Sequence, residues 1–177
     1  MSSKSPPPPG EGQGGGTPSV DKASFRYAMG HFATGVTVMT TNLEGRLHGM
    51  TVSAFASVSL EPLLVLVSVE RTTVMHNLVL ESGAFALNIL GERSESTARY
   101  FADNARLAAP EFRPAAYRLG GTGAPILNEA TGYLEAKVHG SHRAGDHTIV
   151  VGEVVAVEVV SEEPPLLYYR SGYRQLR

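Results

Sequence analysis

The chain is expected to fold as a mainly β protein, an antiparallel barrel carrying a few short helices. Three observations lead there. Segments rich in β-branched residues recur from Val36 to the C-terminal end, the helical segments are few and short, and the two kinds do not alternate in a repeating βα order. Closing such a set of antiparallel strands is economical because it removes exposed sheet edges. With 177 residues, 42% of them apolar, one core and one domain are expected. The boundary is expected near residue 20, with a Pro/Gly-rich tail over 1–20 and the domain over 21–177.

The tail contains four consecutive prolines followed by glycines, has nothing to bury, and is expected to be disordered. Gly10, Gly12 and Gly15 satisfy GxGxxG there. No strand precedes them and no amphipathic helix follows at once, so the mechanism behind that dinucleotide motif is missing. Order begins near Asp21. Asp21 or Ser24 suits a helix cap, and Phe25, Met29 and Phe32 recur on one helical face, with the helix ending near Thr34. Val36 to Thr41 alternates as a strand, and Asn42 to Gly45 supplies a turn.

The stretch from Gly45 to Ser68 is nearly free of charge and dense in Ser, Thr, Val and small residues. It predicts a second strand up to Pro62 and a third, apolar on both faces and hence central, over Leu63 to Val69. Its hydroxyls suit either an ordinary half-buried strand pair or a wall against which something flat and polar docks. A helix over Val74 to Leu80 follows, stopped by Gly83, then a strand over Phe85 to Leu90 and a helix over Ser94 to Phe101 with Ser94 as cap. Residues 103–125 hold three prolines and three glycines and read as a long surface excursion, a length usually tied to function. Tyr133 to Ser141 and His147 to Val160 form a long hairpin around Arg143 to Asp146, and two short strands close the chain.

Composition excludes several chemistries. The formal net charge of −2 gives no electrostatic reason for a nucleic-acid or anionic-membrane partner. The absence of cysteine excludes disulfides, thiolate metal sites and a Cys nucleophile. No apolar run approaches the roughly 20 residues that span a bilayer, and no secretory signal is visible, so a soluble cytoplasmic protein is expected. Acidic residues are scattered, and Glu162-Glu163 sits in a Pro-rich turn where solvation explains it. His139 and His142 point to opposite faces of a strand, and His142 with His147 lacks a third ligand for zinc, so no metal is expected. His147 beside Asp146 is either a surface histidine at a turn or a hydrogen-bonding group at a pocket rim. No GxSxG elbow or P-loop is present. No residue stands out as acid, base or nucleophile, so an enzyme of this sequence would rely on a bound cofactor.

Phe25 to Thr41, His48 to Phe55, Ser57 to Leu60, Ala86 to Leu90, Ala144 to Thr148, Gly152 to Val154 and Pro165 to Tyr169 stand in the order of the flavin reductase-like, FMN-binding split-barrel family. Across residues 21–176 the chain resembles that family, and within it the small reductase components of two-component aromatic hydroxylases. The resemblance implies an antiparallel split barrel and a homodimer. It implies hydride transfer from NADH or NADPH to FMN or FAD, with reduced flavin leaving for a separate monooxygenase. It places flavin along Thr51, Val52, Ser53 and Ala54, its ribityl and phosphate portion near Ser57, Val58 and Ser59, and the rest of a phosphate site at Ser68, Arg71 and Thr72, beside the following helix N-terminus. Gly145-Asp146-His147 matches the family's block with His147, flanked by Asp146, facing the nicotinamide. The chain departs from the family at Ser53, often Asn in relatives though Ser is also seen there, and at Glu61-Pro62-Leu63, where two prolines are common. A non-catalytic flavin carrier or sensor on the same barrel is the alternative; such a binder has no need of His147. An oxidase of the pyridoxamine-phosphate type fits the blocks less well.

Overall fold

The computed structural model describes residues 20–108, 112 and 116–176; the expected tail, Val20 apart, lies outside the described residues. Helix α1, Lys22–Met29, is capped by Asp21, whose Oδ1 accepts from Ser24 N at 2.7 Å. It ends at Gly30, a turn earlier than the spacing predicts, and a two-residue strand β1, Thr34–Gly35, follows. The stretch expected as one strand up to Pro62 is two, β3 (Arg46–Val52) and β4 (Phe55–Leu60), preceded by β2 (Thr37–Leu43). Strand β5, Leu63–Glu70, runs into α2, Val74–Ser82, which Thr73 caps and Gly83 ends in the left-handed conformation. Strand β6 is Ala84–Leu90, and α3 is Glu95–Ala102 after a short 3-10 turn. Ser94 occupies the cap position of α3, but its side chain makes no cap bond. The expected surface excursion carries two short strands, β7 (Tyr117–Leu119) and β8 (Pro125–Leu127). The long hairpin is β9 (Ala130–Ala144) with β10 (His147–Val159), and β11 (Leu167–Tyr169) and β12 (Gly172–Arg174) close the chain.

Seven strands form one antiparallel sheet in the order β3-β2-β6-β9-β10-β5-β4. Its two edge strands, β3 and β4, are consecutive in sequence and joined by Ser53 and Ala54 alone. The chain thus crosses the seam of an incompletely closed barrel in two residues. Small side chains at this crossing explain the break that the alternation of hydroxyls concealed.

Inside, Met39, Val52, Val65, Val67, Val69, Phe85, Leu87 and Val150 make the central core. Gly152 is required there, because a Cβ would stand 2.6 Å from the Phe85 ring. Among the described residues, buried side-chain polar atoms are paired except Arg106 Nε. Asn88 donates to Val38 O at 3.1 Å and accepts from Leu127 N at 2.8 Å, tying the β7–β8 flap to the sheet. Glu135 accepts from Thr122 N and Oγ1 and from Gly121 N, which holds its carboxyl below the usual range against the cost of burial.

His48 on β3 is 8% exposed. Burial first, then the charges of Arg106 and Arg46, lowers its pKa to about 4. The unfolded chain therefore takes up a proton that the folded chain refuses, and stability falls as pH drops from about 6.5 to 4, then levels. The loss is expected to reach about 3 kcal/mol. Denaturant unfolding at pH 7 and pH 4.5 checks this: His48→Gln should flatten the pH dependence relative to the wild type, and equal slopes would contradict it.

Candidate active site

Strand β5 shows two faces. Val65, Val67 and Val69 point into the core, whereas Leu66, Ser68 and Glu70 face outward. Beyond β4 the ladder continues as Ser68 N donating to Ala54 O at 2.9 Å, which fixes the seam crossing beside Ser68. On the other side β10 pairs Val151 with Leu66, Ile149 with Ser68 and His147 with Glu70. Directly opposed residues share a face, so His147 stands on the same outer surface as Ser68. Strand spacing puts the two roughly 8 Å apart.

Over this surface lies α1, which buries none of its own residues. Its stripe of Phe25 and Met29, continued by Phe32 beyond the helix, faces Ser53, Ala54, Phe55, Ala56, Leu66 and Ser68 across a groove of about 790 Å³. Gly30, Ala33, Thr34 and Gly35 complete one flank, and Tyr168 and Ser171 stand at one end. Arg26 also lines the groove and makes no ion pair among the described residues. Helix α1 is anchored at its C-terminal end, where Arg170 N donates to Gly30 O at 2.8 Å and the His31 ring meets Tyr27 and Tyr169 edge-on.

Ser53 and Ala54 lie between strands, and their amides have no backbone acceptor among the described residues. With the hydroxyls of Ser53 and Ser68 they line the groove with hydrogen-bonding groups opposite an apolar flank. Such a surface suits a flat ring system with one polar edge, and the Arg26 guanidinium suits a phosphate attached to it. A flavin nucleotide has those parts, and the residues present fit it.

The corner after β5 meets the tip of the β9–β10 hairpin, where Arg71 N donates to Asp146 O at 3.0 Å. At that tip His147 Nδ1 lies 2.8 Å from Asp146 Oδ1. A carboxylate only accepts, so Nδ1 carries the hydrogen and Nε2 is left to meet a ligand. The hydrogen bond from His147, then its charge, holds the Asp146 carboxyl below its usual range, with a smaller contribution from Lys22. Neither Asp146 nor His147 lines the groove itself; the pair shares the outer face of the sheet with Ser68 through the β5–β10 register.

Of the residues singled out in sequence, Ser53, Ala54 and Ser68 line the groove. Thr51 donates to Ala98 O on α3 at 2.7 Å, and Val52 is part of the core. Ser57, Val58 and Ser59 lie farther along β4, where a bulge leaves Val58 unpaired, and Ser59 Oγ accepts from Glu61 N. Arg71 and Thr72 stand exposed at the corner beside Asp146, outside the groove lining, with Thr72 donating to Glu70. The N-terminus of α2 is closed by Thr73, whose Oγ1 accepts from His76 N. Sequence reasoning missed Arg26, Tyr168 and the role of Phe25, Met29 and Phe32. The one available signal was that stripe, which reads equally well as a core-facing helix. Among the described residues no group of three His, Asp or Glu converges as a metal site.

A family model described as the flavin reductase like domain matches residues 29–177. The chain is 36% identical over 157 residues to the reductase component of 4-hydroxyphenylacetate 3-monooxygenase of Thermus thermophilus, covering 88% of this chain and 97% of that one. It is 40% identical over 161 residues to a flavin reductase (NADH) of Kitasatospora aureofaciens, covering 87% and 81%. Among solved structures, the NADH:FAD oxidoreductase of Streptomyces globisporus superposes with a TM-score of 0.85 at 34% identity, covering 96% of this chain and 99% of that one. The chain belongs to the flavin reductase-like domain family.

Proposed function

We propose that the protein is an NAD(P)H-dependent flavin reductase that supplies reduced FMN or FAD to a separate monooxygenase component. One observation carries this reading: a groove with a small-residue, hydrogen-bonding floor and an apolar helical flank, with an imidazole on the same sheet face as Ser68. A flavin held there would supply the acceptor for hydride from a reduced nicotinamide.

The chain's residues bind and orient. Ala54 and Ala56 leave the floor flat, Ser53 and Ser68 offer hydroxyls to the ring's polar edge, and Phe25, Met29 and Phe32 exclude water from the opposite side. Arg26 supplies charge for a phosphate, and Arg71 with Thr72 adds a second cationic edge near the hairpin tip. Thr51, Val52, Ser57, Val58 and Ser59 shape the strands that hold the floor. His147, oriented by Asp146, would present Nε2 to the nicotinamide. Alignment of two rings, rather than proton transfer by a side chain, is the catalytic requirement. The domain is taken to span 21–177 and the protein to work in the cytoplasm, with which the lack of cysteine is compatible.

A homodimer completes the proposal. Past Glu153 strand β10 has no partner in β5, and Val155, Val157 and Val159 project there with 50%, 71% and 71% of their surface exposed. A contiguous apolar strand of this kind calls for cover, and a second copy provides it. Sedimentation equilibrium should give a dimer at micromolar concentration; a monomer would remove this part of the reading.

Purified protein should oxidise NADH or NADPH only when FMN or FAD is present. Flavin binding without nicotinamide oxidation would instead favour a carrier or sensor. Replacing His147 by Ala should lower kcat/KM for the nicotinamide about tenfold while leaving the flavin dissociation constant unchanged. An unaltered rate would take His147 out of the site.

A further inference from the structure

The groove continues past Tyr168 and Ser171. These two residues also line a second cavity of about 300 Å³, walled further by Arg99, Ala102, Asp103 and Tyr173. We propose that this annex receives the adenylate arm of a dinucleotide whose redox-active ring lies in the groove, an assignment that rests on the flavin reading of the groove.

An adenylate combines a flat purine, a ribose and a phosphate, and the annex answers each part. Tyr168 and Tyr173 stand with ring centroids 5.5 Å apart and planes inclined at 68°, offering aromatic surface to a purine. Asp103, after the end of α3, accepts from Ala105 N at 2.8 Å through Oδ1 and offers Oδ2 as the acceptor for an exocyclic amine. The Arg99 guanidinium lies 4.9 Å from the Tyr173 ring centroid, a cation held where a phosphate would enter. Its ion pair with Glu95, 2.6 Å long, is 64% exposed on the Arg99 side, and an exposed pair of this kind yields readily to the doubly charged diphosphate bridge of a dinucleotide.

The rim between the two cavities is itself unusual. Arg170 and Ser171 form the two-residue turn from β11 to β12 with φ of 48° and 58°, a conformation that normally selects Gly or Asn. Neither residue is glycine, and the turn sets Ser171 on the passage between groove and annex. Backbone strain of this kind concentrates at ligand sites. The register carries the passage further: Tyr168 pairs with Thr34, a lining residue of the groove, and with Tyr173 of the annex.

The adenylate has two possible sources, the flavin itself (FAD rather than FMN) or the nicotinamide donor, and equilibrium titrations separate them. Arg99→Ala removes the cation, and Ala102→Phe fills the annex from an exposed position where the fold tolerates bulk. Titrate each variant with FAD and with FMN in the absence of nicotinamide, following flavin fluorescence. Then measure the KM for NADH and for reduced nicotinamide mononucleotide with FMN as acceptor. A rise of about tenfold in the FAD dissociation constant with FMN unchanged assigns the annex to the flavin adenylate. Unchanged flavin binding with a similar rise in the NADH KM, and none for the mononucleotide, assigns it to the donor. No change in either, or equal weakening of FMN and FAD, overturns the proposal. Wild-type protein that binds neither flavin would overturn the groove reading and this one together, whereas wild-type binding with unmoved variants overturns the annex alone.

Discussion

The registers of β5 with its two neighbours fix the site. Ser68 N donating to Ala54 O sets the seam crossing beside one face of β5, while the pairing of Glu70 with His147 sets the hairpin tip beside the same face. Because side chains alternate, a one-residue slip of either ladder would turn Ser68 inward and Val67 and Val69 outward. The core forbids this: both valines are fully buried. Hydrophobic burial on the inner face thus specifies the polar arrangement on the outer one, and floor and imidazole come into register without any contact between them.

The outer face remains partly uncovered. Helix α1 has eight residues and buries none of them, and a helix so short is marginal without tertiary support. Its cap at Asp21 and its anchor at Gly30 hold the two ends, but the apolar stripe between them faces the groove. Filling the groove with a flat apolar ring covers that stripe, so ligand binding and the position of α1 are energetically linked. The same geometry accounts for the absence of a side-chain acid or base from the proposal: a site that aligns two rings asks for shape, a polar edge and a dry flank.

The sequence made the β architecture and most strand limits legible, because alternation, Gly83 after α2 and Gly145 in the hairpin turn are local signals. It hid the seam. Thr51 to Ser59 reads as one interrupted strand, since Ser53 and Ala54 look like weak strand residues; that they join opposite edges of the sheet depends on long-range pairing. The family resemblance brought Ser53, Ala54 and Ser68 to notice, and these line the groove. Thr51 has the same side-chain chemistry but turns to α3, a difference of side-chain direction that composition does not encode. Arg26 was passed over because a basic residue on a surface helix is unremarkable until the helix is seen to roof a groove.

The central claim is that flavin binds between α1 and the seam crossing at Ser53 and Ala54. A crystal structure of the protein with FMN tests it most directly. The account predicts the ring system against Ala54 and Ser68, its polar edge toward the Ser53 and Ala54 amides, and the stripe of Phe25, Met29 and Phe32 covering the other side. Density for FMN elsewhere on the barrel, with this groove filled by solvent, would contradict it.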